Sequence, residues 1–313
     1  MPLGALMIQM KQLSPLSAPR VAQVSHKPRK NIGPPIERGD ISGRPMLELV
    51  NVTKTYGQAI AVNGVSLSIP AGSMVGILGR SGAGKSTLLR MINRLAEPTS
   101  GDVLWQGKSV LHLRGSTLRA WRARCGMMFQ QFNLSPRLDV LTNVLVGSVS
   151  RRPTLQTLIK YFPAEERARA ILELHALDMA DLALQRAGTL SGGQQQRVAI
   201  ARTMMQLPDL VLADEPIASL DPANAETVMS ALSSISQERG ITVLVNLHSL
   251  DIARTYCPRI IGMAKGKVVF DGSPDQLDAA MVEKIYGRRK STESALAPAV
   301  STTLSSIPTG EVA

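Results

Sequence analysis

The stretch GRSGAGKS, residues 79–86, constrains the possible fold more than any other part of the sequence. It matches G-x-x-x-x-G-K-[ST], the pattern of a phosphate-binding loop. The apolar run 73–78 before it is typical of a buried strand, and apolar residues after it recur at helical spacing. A glycine-rich turn between a strand and a helix presents backbone N–H groups to a phosphate. The sequence therefore predicts an α/β core that binds a nucleotide.

The residues of this loop have separate expected roles. Lys85 is expected to bridge the β- and γ-phosphates, and the Ser86 hydroxyl is expected to ligate Mg²⁺. Thr87 adds a second hydroxyl at the start of the helix. The remaining positions are expected to surround the phosphates, with no side-chain role assigned to the arginine among them: Gly79, Arg80, Ser81, Gly82, Ala83 and Gly84.

Two carboxylates end a later apolar run, DLVLADEP at residues 209–216. Asp214 is expected to hold Mg²⁺ through water, and Glu215 to polarise the attacking water. A charged turn would explain an isolated DEP equally well, but the phosphate loop favours the catalytic interpretation. Another buried strand is predicted at 241–247, and its carboxyl end should bring His248 to the same crevice as a γ-phosphate sensor.

A second pair of glycines, in TLSGGQ at residues 189–194, stands at the start of another predicted helix. Adjacent glycines leave the backbone bare, so that its amides can approach an anion closely. The chain therefore presents two anion-binding loops, although one nucleotide needs only the first.

These motifs together resemble the ATP-binding-cassette (ABC) family, over about residues 47–277. The resemblance implies a P-loop NTPase core of ABC type, with an antiparallel β subdomain and an inserted helical subdomain near 125–190. It also implies that two copies pair head to tail, each offering its LSGGQ segment to the ATP held by the other. The segment's residues would then bind the partner's nucleotide: Ser191, Gly192, Gly193 and Gln194.

The same resemblance assigns three further residues. Tyr56 is expected to stack on adenine, although an ordinary edge-strand tyrosine is the alternative. Gln130, in MMFQQ, is expected to contact Mg²⁺ and the attacking water. Asp221, in SLD, is expected to reach across the dimer.

Within the family, three segments resemble the ATP-binding subunit of bacterial phosphonate importers: 129–147, 189–222 and 245–272. This likeness implies an ATPase that binds ATP and Mg²⁺ and drives an integral-membrane permease, which a solute-binding protein supplies. Two alternatives stay open: an importer of phosphate, phosphite or a polar amino acid, and a soluble ATPase that remodels nucleic acid.

The net charge of +11 superficially favours nucleic acid, but residues 1–44 carry seven basic and two acidic side chains. We therefore interpret residues 1–45 as a disordered basic arm, 46–287 as the folded ATP-binding domain and 288–313 as a disordered tail. No specific nucleic-acid partner is expected. No apolar run approaches the ~20 residues that span a bilayer. The resemblance implies a peripheral protein on the cytoplasmic face of the inner membrane, held there by the permease.

Overall fold

The computed structural model describes residues 45–152 and 162–287. The predicted basic arm, the predicted tail and residues 153–161 lie outside this described part. Two β-sheets and the helices around them make up the fold.

The first sheet contains four antiparallel strands in the order β2-β1-β4-β5. The sequence predicts its first two strands, near 47–70, but not the later pair that extends it. Alternating burial along β2 shows why the hairpin is stable: one face packs on the core and the other faces solvent. Its strands are β1 (Pro45–Tyr56), β2 (Ala59–Pro70), β4 (Ser100–Trp105) and β5 (Lys108–Ser109).

The second sheet has six strands in the order β10-β9-β3-β8-β7-β6. Its neighbours pair in parallel, except for the antiparallel β10–β9 edge. Four of its strands are buried along their whole length, as their continuous apolar sequences require. The strands are β3 (Met74–Leu78), β6 (Cys125–Met128), β7 (Leu210–Asp214), β8 (Thr242–Leu247), β9 (Arg259–Ala264) and β10 (Lys267–Gly272).

Eight α-helices flank these sheets in the described ranges. The core between the sheets is aliphatic, apart from an edge-to-face pair of Trp105 and Trp121 with ring centroids 5.0 Å apart. The helices are α1 (Lys85–Ile92), α2 (Gly115–Arg124), α3 (Val140–Leu145), α4 (Ala164–His175), α5 (Gly192–Met204), α6 (Pro222–Arg239), α7 (Leu250–Tyr256) and α8 (Ala279–Tyr286).

The segment near 125–190, predicted as a helical subdomain, begins with a strand. Residues 125–128 are β6, which pairs in parallel with β7, and the helices of the segment begin with α3. Helices α3, α4 and α5 pack against one another. Ile171, Leu174 and Leu177 are buried, as the helical spacing predicts. Among the described helices, none has the length and apolar character to cross a bilayer.

Candidate functional site

The phosphate loop connects β3 to α1, as the sequence predicts. Gly84 immediately precedes the helix with φ at +101°, a left-handed conformation that strains other residues. A Cβ at this position would also overlap the carbonyl oxygen of Ala61 in β2. Glycine is therefore required twice over, because the loop turns sharply and the first sheet packs directly against it.

Lys85 is held against this loop. Its ammonium donates to the carbonyl oxygens of Gly79 at 2.7 Å and Arg80 at 3.3 Å, and the residue is only 4% exposed. Burial lowers the pKa of Lys85, while the charges of Glu215 and Asp214 oppose that shift. The loop's cation thus lies within the field of both predicted carboxylates.

Asp214 ends β7 and contacts the phosphate loop directly. Its Oδ1 accepts a hydrogen bond from Ser86 Oγ at 2.7 Å and another from Asn246 Nδ2 at 2.7 Å. A hydroxyl and a carboxylate at this separation are hard oxygen ligands, which suit Mg²⁺. No group of three His, Cys, Asp or Glu side chains in the described ranges has the arrangement of a metal site. The pair therefore fits an ion that completes its coordination with water and phosphate oxygens.

Glu215 and His248 form the second half of this arrangement. Glu215 follows β7 with φ at +52°, so the chain turns immediately after Asp214. His248 follows β8, the neighbouring strand, and its Nε2 lies 2.6 Å from Glu215 Oε1. The imidazole is 44% exposed and the carboxylate 18%, so both reach the open edge of the sheet. A carboxylate held in this way can accept a proton from a water molecule.

Two polar residues of this region escape the sequence analysis. Asn246 lies inside the apolar run of β8, where a polar residue is itself a signal that sequence reasoning can use. Tyr286, at the end of α8, donates its hydroxyl to the carbonyl oxygen of His248 at 3.1 Å, and burial raises the pKa of this tyrosine. These two residues are 38 positions apart, and no local pattern predicts their contact.

Three predicted residues lie around this center without a side-chain hydrogen bond to it in the described contacts. Gln130 is exposed and comes two residues after β6, beside Asp214's strand in the sheet. Tyr56 ends β1 and is 52% exposed, with the Lys54 ammonium 4.9 Å from its ring center. The Arg80 guanidinium lies near Gly287, beyond the end of α8.

The predicted signature segment forms the start of α5. Ser191 is the N-cap: its hydroxyl accepts from the Gln194 N–H at 3.3 Å, and its own N–H donates to Gln194 Oε1 at 2.9 Å. The first four N–H groups of a helix have no partner inside it, and this capping box satisfies two of them. Those of Gly192 and Gly193 are left for an acceptor outside the helix.

The neighbours of this segment come from the start of α6. Asp221 caps that helix by accepting from the Asn224 N–H at 3.0 Å and from Asn224 Nδ2 at 2.6 Å. The Asn224 side chain in turn lies over Gly193, where a Cβ would overlap it. A Cβ on Gly192 would lie 3.5 Å from the side chain of Leu220. The signature therefore packs against the segment that holds Asp221.

Comparison with known proteins establishes the class to which this fold and site belong. The profile of the ABC transporter family matches residues 62–218. The chain belongs to the ABC transporter family, as the sequence predicts.

Close relatives and solved structures agree with that membership. The chain is 61% identical over 245 residues to the phosphonates import ATP-binding protein PhnC of Rhizobium johnstonii, covering 78% of this chain and 88% of the relative. It is 53% identical over 264 residues to the protein of the same name from Ruegeria pomeroyi, covering 84% and 97%. A dimeric ATP-binding cassette solved in a post-hydrolysis state with ADP and Pi superposes with a TM-score of 0.65 at 37% identity, covering 73% of this chain and 99% of that one.

Proposed function

We propose that this chain is the ATP-hydrolysing subunit of an ABC import complex, and that the complex takes up phosphonates. Relatives named for phosphonate import match 78% to 84% of the chain. The observation that carries the ATPase assignment is the convergence of Lys85, Ser86, Asp214, Glu215 and His248 at one edge of the six-stranded sheet.

The chain's own residues divide the work of hydrolysis. Lys85 leaves the loop carbonyls for the β- and γ-phosphates, which the loop amides also hold. Ser86 and Asp214 would hold Mg²⁺, which would neutralise charge on the phosphates. Glu215 takes a proton from the attacking water, and His248 holds that carboxylate and contacts the γ-phosphate. Gln130, just after β6, would help to hold the metal and the water.

The signature segment acts on a different nucleotide. In the proposed dimer, the N–H groups of Gly192 and Gly193 and the hydroxyl of Ser191 bind the γ-phosphate held by the second copy. The positive end of α5 favours that anion. Asp221 lies beside the signature and contacts the partner across the same interface. Tyr56 stacks on adenine at the outer end of the first sheet.

ATP binding then closes two copies, and hydrolysis separates them again. Closure drives a permease between its outward- and inward-facing states, so that solute moves with each cycle. The chain is peripheral, on the cytoplasmic face of the inner membrane, where the permease holds it. A solute-binding protein supplies the permease.

Growth on a phosphonate as the only phosphorus source tests the cargo. A strain lacking this protein should fail to grow, while the wild-type gene should restore growth and a gene carrying Glu215→Gln should not. Growth of the same strain on inorganic phosphate controls for general sickness. Undiminished growth of the deletion strain on the phosphonate would reject this cargo. Growth on the phosphonate together with failure to grow on inorganic phosphate would favour a phosphate importer.

A further inference from the structure

Asn246 is a polar side chain at a position where an apolar one would pack. It lies in β8, is fully buried, and pairs in register with Ile77 of β3 on one side and Asp214 of β7 on the other. All the residues of β8 are buried. An amide in such a strand has to be satisfied by hydrogen bonds or it costs stability.

The amide is only half satisfied. Its Nδ2 donates to Asp214 Oδ1 at 2.7 Å, an orientation fixed by chemistry because a carboxylate oxygen accepts and does not donate. Its Oδ1 is buried without a hydrogen-bond partner among the described residues. A leucine branches at the same carbon and lacks that unsatisfied oxygen, so packing alone gives no reason for an asparagine here.

The hydrogen bond from Asn246 to Asp214 does give a reason for an asparagine at this position. Within the described part of the chain, both of its side-chain donors, Ser86 and Asn246, meet the same oxygen, Oδ1. If Ser86 turned to a bound Mg²⁺, Asn246 would be the side-chain donor that still holds this oxygen. The Asp214 carboxylate would then keep its orientation.

We infer that Asn246 is a positioning residue that holds Asp214 in its Mg²⁺-binding orientation throughout the cycle. This role rests on the proposed function. It requires Asn246 to support the metal-dependent part of nucleotide binding, and to leave the contacts of the loop with the phosphates unchanged.

The test measures the dissociation constant of ADP for the full chain, with excess Mg²⁺ and with EDTA. Asn246→Leu should bind ADP as the wild type does in EDTA, but about tenfold more weakly than the wild type in Mg²⁺, because a hydrogen bond to a charged group is lost. Its urea midpoint, measured in parallel, shows whether the variant folds; loss of the bond to Asp214 lowers this midpoint and removal of the unsatisfied oxygen raises it.

Asn93→Leu is a matched control. Asn93 is also a buried asparagine with an unpartnered Oδ1, but its Nδ2 donates to the carbonyl of Cys125, at the opposite end of the strands from Asp214. For Asn93→Leu, the gain in ADP affinity on adding Mg²⁺ should equal that of the wild type. If Asn246→Leu does not fold, the pair Asn246→Thr and Asn246→Val serves instead, and only the hydroxyl-bearing member should keep part of the gain.

The outcomes separate the two proposals. Equal weakening of ADP binding with and without Mg²⁺ would make Asn246 a structural residue only, and full retention of the gain would remove its role. Either result leaves the ATPase assignment standing. A wild-type protein whose ADP affinity does not respond to Mg²⁺ would instead reject the metal site of the proposed function.

Discussion

The carboxyl edge of the six-stranded sheet and the start of α5 both present groups suited to binding phosphate, but the partners of those groups differ. At the sheet edge, Asp214 and Glu215 have partners from two other parts of the same chain: Ser86 in α1, and Asn246 and His248 at the end of β8. At the start of α5, the capping box is local, within four residues, and it leaves two glycine amides for an outside acceptor.

This difference indicates how the phosphate-binding groups are divided between two parts of the chain. Ser191 is exposed, and the described neighbours of Gly192 and Gly193 come from residues 132, 220 and 224 rather than from the phosphate loop. A single chain thus carries a nearly complete site for one nucleotide and a separate anion-binding helix end. In the proposed dimer, this helix end completes the site of a second copy.

The largest expected effect comes from Glu215→Gln, which tests the sheet edge. The amide keeps the shape but cannot take a proton, so ATP hydrolysis should fall at least ~10²-fold while ATP binding stays normal. Phosphate release measures the first, and titration with ATP the second. The same variant should accumulate as a dimer with two trapped nucleotides in light scattering.

Glu238→Gln, at the exposed end of α6, is the matched control and should hydrolyse ATP at the wild-type rate. A normal rate for Glu215→Gln as well would remove Glu215 from its role as the base.

A smaller but more selective effect is expected for Ser191→Arg, which tests the helix end. The bulky cation should prevent closure on a partner and lower hydrolysis by about tenfold or more, the range that loss of positioned groups typically costs. Binding of ATP to the monomer should be unchanged. Ser234→Arg, on the exposed face of α6, should affect neither. Weakened binding to the monomer by Ser191→Arg would place this segment in its own chain's site.

Substitution of the two signature glycines should affect the free energy of unfolding differently. A Cβ at Gly193 overlaps Asn224, whereas one at Gly192 meets Leu220 at ordinary contact distance. Gly193→Ala should therefore lower the free energy of unfolding by about 1–3 kcal/mol, and Gly192→Ala should change it by less than about 0.5 kcal/mol. Denaturant unfolding measures both.

Asn224→Ala added to Gly193→Ala removes the two nearest overlapping atoms but leaves the Cβ of residue 224 at 2.8 Å, so it should recover only part of that loss. If Gly192→Ala is the less stable of the two, the assignment of their packing is wrong.

The smallest expected effect is at Tyr286, which sharpens the description of the sheet edge. Tyr286→Phe removes the hydroxyl bonded to the His248 carbonyl. Because one hydrogen bond contributes about 0.5–1 kcal/mol, kcat should fall by about two- to fivefold. Tyr256→Phe, whose hydroxyl contacts residues of α6, is the control and should leave kcat unchanged. An unchanged kcat for Tyr286→Phe would show that α8 does not position His248.

The sequence predicts those parts of the molecule whose information is local. The strand before the phosphate loop, the strands ending at Asp214 and His248, and the buried stripe of α4 all follow from periodicity and flanking residues. Family membership follows from motif order. The sequence continues the helical spacing of Leu88 and Ile92 to Leu95, but Leu95 is 46% exposed and lies beyond α1, because the helix ends at Ile92.

Contacts between distant segments are not predictable in this way. β4 joins the first sheet by pairing with β1, about fifty residues earlier. Tyr286 reaches His248 only because α8 packs on β9 and β10. The left-handed backbone of Glu215 is likewise not predictable from the sequence, because glutamate has no preference for that conformation. Such features depend on the whole fold.

Disulfide trapping between two variants that each carry one added cysteine tests the division of the site most directly. Ser81 and Ser191 are both exposed, and the native Cys125 and Cys257 are buried. Ser81→Cys and Ser191→Cys, each confirmed to bind ATP and each carrying Glu215→Gln, are mixed and oxidised. We predict a crosslinked heterodimer that forms with ATP and is lost without it. Absence of that heterodimer with ATP present, or its formation regardless of nucleotide, would contradict the claim that each copy completes the other's site.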